Sequence, residues 1–332
     1  MPAASSCLLP LPLEGDQYVV RLHVGPAGQV ADPTLPLAFE PFLYLTPAHL
    51  RLQRHAGLLL SFYLEDQDRQ LTVAQLHVAG EAGGGTAQSP WQAPFGAVQL
   101  AAVAAVALRA FLEVVHAQLA AQGLAHLRLR SYPFAYDPAG SALLTHVLQQ
   151  LGYAIPLAEI NNHLPLAADF RARLHPSERR RLKKCQHQGF VFEQETPLFL
   201  PLAYEFLRRC RREKGQELSL SLERLQELFS QFPQDYFLFS VRDQAGNWAA
   251  LTVAIRVNSR VLYNFYPASP LAYNTFSPVV LLNEGLHAFG RANGQQLLDL
   301  GTSTLPEGLN QSLLQFKRHL GGVPSLKLTF ER

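Results

Sequence analysis

The stretch VLYNFYPASPLAYNTFSPVVLLNEGLHAFGRANGQQLLDLGTST, residues 261–304, decides the fold. It runs from an apolar segment through a proline-punctuated loop into an amphipathic segment, then past Asn293-Gly294 into LLDLGTST. Strand, loop, helix and second strand make a crossover unit, and the natural ligand site of such a unit lies at the C-terminal ends of its strands. Val279, Leu282, Leu286 and Phe289 recur at steps of three and four and form one apolar stripe. Asn283, Glu284, His287 and Arg291 fall off that stripe, and a solvated face is expected for Glu284 and His287. Ser277 is placed to be the N-cap, Pro278 suits the first helical position, and Asn293-Gly294 is the stop. No Glu or Gln follows Ser277 by three residues, so the first-turn amides lack a capping box and can receive an anion such as a pyrophosphate, or water.

The 332-residue chain is 48% hydrophobic and 16% charged, long enough for two domains. Its net charge of +2 gives no global field that would favour nucleic acid or acidic membranes. Cys7, Cys185 and Cys210 fit neither a disulfide framework nor a metal ligand set, so a cytoplasmic protein without a metal is expected. No apolar run approaches the ~20 residues of a membrane span, and the N-terminus has no secretory pattern.

Outward from the deciding stretch, residues 1–16 read as irregular, 18–24 as a strand and 48–55 as a short helix. A hairpin is expected over 58–64 and 70–79, then a loop at 80–90, a long helix ending before Gly123, a strand at 124–130 and a helix at 141–151. The second half repeats this order. A connecting strand at 157–170 leads to a basic helix at 175–187, a strand at 190–195 and helices at 201–214 and 220–232. A hairpin of 236–242 and 248–257 comes next, then a strand at 260–266, the deciding stretch and a last helix at 307–319. The hairpins begin near 58 and 237, 179 apart, and the strands after the long helices near 127 and 297, 170 apart. Such self-similarity signals duplication.

From about residue 174 to 322 the chain resembles the Fem-like, GNAT-related acyltransferases. The residues that carry the resemblance are Arg179-Arg180-Arg181-Leu182-Lys183-Lys184 with Gly189, Gly246-Asn247-Trp248-Ala249-Ala250, and Tyr263-Asn264-Phe265-Tyr266. Ser277-Pro278 with Leu281-Leu282, Leu298-Asp299-Leu300-Gly301 and Phe316-Lys317-Arg318 complete the set. The resemblance implies an α/β (α+β) protein of two tandem GNAT-like domains, each a mixed, mostly antiparallel twisted sheet flanked by helices. A degenerate N-terminal copy would occupy 1–156 and the acyltransferase copy 157–332. It further implies transfer of an acyl group from a thioester donor, acyl-CoA or acetyl-CoA, to an amine on a small molecule or cell-envelope precursor, by a monomer or dimer. The donor would lie between strands 260–266 and 297–301, with its carbonyl side on strand amides of Phe265, Tyr266 and Ala268 and its phosphates at Ser277 and Val279.

Lys317 resembles the lysine that assists near the transferring group in Fem-like enzymes. Asp299, near the end of a buried strand, is a candidate base or ligand or a turn cap, since a buried carboxylate needs partners. Tyr263 and Tyr266 are expected on one strand face with Phe265 opposite, Tyr266 as proton donor and Tyr263 as substrate contact or core. Thr302 and Ser303 are ligand contacts or turn formers. Arg181 and Lys184 belong to a basic run that binds phosphate or forms a solvated face, and Arg208, Arg209, Arg211, Arg212 and Lys214 form a second cluster. Residues 268–276 depart from the Gln/Arg-x-x-Gly-x-Gly/Ala pyrophosphate loop of ordinary GNAT enzymes, having no glycine and one proline. Fem-like relatives also lack that loop, and some take the acyl group from aminoacyl-tRNA. A tRNA-dependent transferase and a non-catalytic ligand-binding protein therefore stand beside the thioester reading.

Overall fold

The structure is a computed structural model that describes residues 5–13, 17–26, 28–53, 57–305 and 307–332. The chain divides into two units, residues 1–159 with 326–332, and residues 160–325. The end of the last strand is thus part of the first unit.

In the first unit Ser5–Pro10, Tyr18–Pro26, Leu58–Asp66 and Leu71–Gly80 pair antiparallel in sequence order. Thr86–Ser89 then pairs antiparallel with Leu71–Gly80 and parallel with His126–Arg130, which pairs antiparallel with 329–331 of the last strand. Leu58–Asp66 is buried at all nine positions, because the sheet is covered on both faces. The helix Ala105–Ala121 buries Leu108, Phe111, Leu112, Val115 and Leu119, the spacing of one helical stripe, against a core that includes Leu60, Phe62, Leu76 and Val78. Residues 5–10 are a strand and not irregular, and 86–89 are a strand inside the expected loop. Residues 1–4 and 14–16, and the end of the expected 48–55 helix, lie outside the described residues; the helix itself is Pro47–Leu52.

In the second unit the strands lie in the order 160–165, Leu297–Thr302, Val261–Asn264, Trp248–Arg256, Tyr236–Arg242 and Val191–Glu195. Among these strands only Val261–Asn264 with Leu297–Thr302 is parallel, because a crossover helix, the proline-opened Pro278–Ala292, joins the two. That helix buries the stripe residues Leu282 and Leu286 with Leu164, Leu262 and Leu298 from the sheet. Asn283 and His287 are buried as well, against the expectation of a solvated face for His287. The reason is a second layer: His287 lies 5.5 Å from the Phe170 ring, and Glu284 accepts from Arg171 Nε at 2.5 Å. Burial holds the His287 imidazole below its ordinary pKa. The last helix is shorter than expected, Gln311–His319, with the small hairpin Thr304–Leu305 and Gly308–Leu309 before it.

Gly285 shows how closely this helix approaches the sheet. A Cβ there would lie 2.2 Å from the Phe192 ring, which stacks on Phe239 with centroids 5.4 Å apart. Alanine in a helix gains roughly 1 kcal/mol over glycine, but overpacking a filled core costs about 1–3 kcal/mol. Gly285→Ala is therefore expected to lower the midpoint of denaturant unfolding; a raised midpoint would show that the Phe192 ring yields freely.

Candidate functional site

The parallel ladder between the two central strands has three pairs, Val261↔Leu297, Leu262↔Leu298 and Tyr263↔Asp299. Beyond Tyr263 the strands part company. Phe265 N and Tyr266 N both donate to Val253 O, at 3.0 and 3.2 Å, and Ala268 exchanges bonds with Leu251, so this side of the chain stays with the antiparallel neighbour. On the other side a bulge between Asp299 and Thr302 turns the Leu297–Thr302 strand toward its partner at Asn161. The pair thus opens as a wedge.

The parallel pair of the first unit does the opposite. Past Ser89 and Leu129 it is stitched again by the Gly96↔Ser131 bridge, with Gly96 N donating to Arg130 O at 2.8 Å. Phe42, Phe95, Tyr132 and Tyr136 fill the adjoining space edge to face, with Phe42 and Tyr132 centroids 4.8 Å apart.

At the mouth of the open wedge the bulge is held from within. Asp299 Oδ1 accepts from Gly301 N at 2.7 Å and from Asn161 Nδ2 at 2.8 Å, and its side chain is buried. Gly301 has φ +74°, a conformation that L side chains rarely adopt, and the Tyr263 ring lies 3.6 Å from where a Cβ would be. Lys317 reaches this bulge from the helix Gln311–His319, whose N-cap Asn310 accepts from Leu313 N. Its Nζ donates to Gly301 O at 2.9 Å and Thr302 O at 2.7 Å. Burial pulls the Lys317 ammonium down to a pKa of about 8, and the nearby Asp299 charge opposes that shift.

Strand alternation places further groups. Leu164, Leu262 and Leu298 face the crossover helix, so His163, Tyr263 and Asp299 face the opposite side and stand in one transverse row, since Asp299 is paired with both Tyr263 and His163. Arg211, from the helix Leu200–Arg212, interacts electrostatically with Tyr266 and Tyr263 and sits 6.0 Å from the Tyr266 ring centroid. It donates to Gln216 Oε1 at 2.9 Å, and burial lowers its pKa.

The structure thus brings Asp299, Lys317, Tyr263 and Thr302 together. Tyr266 is occupied elsewhere: its hydroxyl bonds Ser219 Oγ and accepts from Leu220 N, and its ring stacks on Phe265 at 4.0 Å. The expected strand face was wrong in parity: residues three apart point to opposite faces of a strand, and Tyr263 accordingly packs on Phe265, two residues on, with centroids 5.5 Å apart. The amides of Phe265, Tyr266 and Ala268, expected to be open to a donor, are taken up inside the sheet. Ser303 is fully buried, with N donating to Ile160 O and Oγ accepting from Asn162 Nδ2. Arg181 is paired with the buried Glu178 at 3.0 Å.

Ser277 does occupy the N-cap position, yet its φ of +53° turns the hydroxyl away from the first-turn amides and its side chain does not cap them. Lys184 lies against this turn, donating to Thr275 O at 3.2 Å with Nζ 4.6 Å from the Phe276 centroid. A buried polar chain ties the turn to the wedge: Thr252 Oγ1 donates to Asn264 Oδ1, Asn264 Nδ2 to Asn283 Oδ1, and Asn283 Nδ2 to Val279 O. Sequence reasoning missed Asn161, His163 and Asn264, and saw Arg211 only as one of a basic cluster. The pairing of 160–165 with 297–302 was the absent signal.

No group of three His, Cys, Asp or Glu among the described residues is placed to hold a metal ion, and no helix among them is long and apolar enough to cross a membrane. Because Lys317 binds fewer protons folded than unfolded between its shifted pKa of about 8 and the ordinary 10.5, stability rises with pH across that window. Below it the protein bears the full cost of the buried ammonium. Relative to Lys317→Met, the wild type is expected to gain on the order of 3 kcal/mol between pH 7.5 and 10.5; parallel stability curves would show that the ammonium is solvated.

No family model and no curated protein matches this sequence. Solved structures do match in fold. FemX superposes with a TM-score of 0.63 over 82% of this chain and 87% of that one, at 12% identity. L-PGS from Bacillus licheniformis gives 0.51 over 82% and 84%, also at 12% identity. A tandem GNAT protein from the clavulanic acid biosynthesis pathway gives 0.50 over 94% and 98%, at 14% identity. The chain therefore shares the fold of FemX, L-PGS and the tandem GNAT protein.

Proposed function

We propose that the protein transfers an acyl group from an activated donor to an amine in the wedge of the second unit. The observation that carries this is the ladder that stops at Tyr263 and Asp299 with the Lys317 ammonium beside the stop. An ammonium fixed on two carbonyls in a water-poor place is a preorganised charge, and it would stabilise the oxyanion that forms when an amine attacks the acyl carbonyl. Asp299 keeps the bulge, and hence that ammonium, in position. Arg211, Tyr263 and Thr302 then line the acceptor side, with Lys184 and the uncapped Ser277 turn facing the donor's phosphates.

The thioester reading takes acyl-CoA or acetyl-CoA as donor and a small-molecule or cell-envelope amine as acceptor. One observation favours the second reading, an aminoacyl-tRNA donor. In the glycine-free loop 268–276 the Leu271 amide already donates to the Glu213 carboxylate at 3.0 Å, so a carboxylate stands where a pyrophosphate would need donors. The three thiols are free, in keeping with a cytoplasmic protein.

Thermal denaturation with coenzyme A, and separately with an aminoacyl-tRNA, distinguishes the donors. A shift with the first alone supports the thioester reading, a shift with the second alone the tRNA reading, and no shift with either a non-catalytic binding protein. With whichever donor supports turnover, Lys317→Ala and Asp299→Asn are each expected to lower the rate by more than about tenfold with the far-ultraviolet spectrum unchanged. Full activity in both variants would move the site elsewhere.

A further inference from the structure

We infer that His163 is the general base of the transfer, taking the proton from the acceptor amine. The inference rests on the acyl-transfer reading above, and names a residue to which neither the sequence motifs nor the fold likeness points. His163 lies opposite Asp299 in the antiparallel pair of 160–165 with Leu297–Thr302. Directly opposed side chains on one face have Cβ atoms about 4.5–5.5 Å apart. Through Asp299 the row continues to Tyr263, on the face where Arg211 lies and away from the crossover helix.

The chemistry of this position suits a base. His163 is half-buried, and its Nδ1 is enclosed with no hydrogen-bond partner. An amine N–H is the kind of group that would satisfy it. The charged groups acting on the ring are Asp299 from the adjoining strand and Arg173 from the short helix Phe170–Arg173; Lys317 and Tyr263 lie beyond Asp299. Burial, and then Arg173, lower the imidazole pKa while Asp299 raises it, so the ring is neutral at pH 7 and its cation has a carboxylate neighbour once formed. Lys317 is the less suitable base, because at pH 7, below its pKa of about 8, its Nζ is mostly the ammonium and is held on two carbonyls.

In the step so assigned, the amine nitrogen forms a bond to the acyl carbon and the carbonyl electrons move to oxygen beside the Lys317 ammonium. The His163 imidazole takes the proton released from nitrogen. As the intermediate collapses, the bond from carbon to the donor's sulfur or oxygen breaks, and the leaving group departs with a proton from Lys317. The imidazolium then loses its proton to solvent and Lys317 regains one, so a single proton has passed, in net, from amine to leaving group.

The test uses full-length His163→Gln, which keeps size and polarity but cannot take the proton, alongside His163→Ala with and without added imidazole. Expected results are a fall in kcat of about 10²–10⁴-fold, loss of the acidic limb of the kcat/KM profile, and partial recovery of the alanine variant by imidazole. The far-ultraviolet spectrum and melting temperature should match the wild type. Turnover within about threefold of wild type, or a low kcat with the acidic limb intact and no imidazole recovery, overturns the assignment and leaves the transferase reading standing. A wild-type protein that turns over neither thioester nor aminoacyl-ester donors sinks that reading itself, and the base with it.

Discussion

The hydrogen bonds that Asp299 accepts, one from its own strand and one from the neighbouring strand, govern the rest of the second unit. By accepting from Gly301 N and Asn161 Nδ2, the carboxylate stabilises a bulge that a regular ladder would remove. Once the bulge is in place, Leu297–Thr302 cannot follow Val261–Asn264 past the third pair. The carbonyls of Gly301 and Thr302 are turned toward the Lys317 ammonium, which compensates part of its desolvation through two charge-assisted bonds. Gly301 is required because the turn passes through φ +74° under the Tyr263 ring.

Against this, the first unit shows what the same kind of parallel pair becomes without a carboxylate at the opening. Ser131 continues the ladder, and aromatic rings fill the space beyond. Phe42 and Phe95 meet the stacked pair Tyr132 and Tyr136 edge to face, contacts that gain dispersion and quadrupole energy. The two units therefore differ by a local trade: one is bridged and aromatic, the other holds a buried lysine with a lowered pKa, a feature usual at functional sites.

Much of this was legible in the sequence. The Val279, Leu282, Leu286, Phe289 stripe, Ser277 at the helix start, the hairpin of 236–242 with 248–256, and Asp299 and Lys317 as neighbours of the opening all follow from periodicity or from the motif order. Other features were hidden for physical reasons. Asn283 and His287 lie off the apolar stripe, but periodicity cannot tell a hydrated face from one buried under a second layer through hydrogen bonds. The faces of Tyr263 and Tyr266 were legible and were misassigned: alternation puts Tyr263 with Phe265 and turns Tyr266 the other way. His163 and Asn161 reach Asp299 only through pairing across 138 residues for Asn161, which no local pattern encodes. Ser5–Pro10 was passed over because it lacks apolar alternation, and Val323–Glu331 was passed over although Leu326, Leu328 and Phe330 alternate with Lys327 and Thr329.

The return of residues 329–332 to the first unit bears on how the protein emerges from the ribosome. Thr329, Phe330 and Glu331 pair with Arg130, Leu129 and Arg128, and Arg332 and Leu127 exchange backbone bonds at 2.8 and 3.1 Å. The slot for this strand is synthesised well before the strand that fills it, with the whole of the second unit made in between, so the His126–Arg130 edge stays unpaired on that side for all that time. N-terminal-first folding, the usual order for tandem units, is thereby denied its last step: the nascent first unit waits with an open edge while the second is made, and its completion reports that the second has been read through.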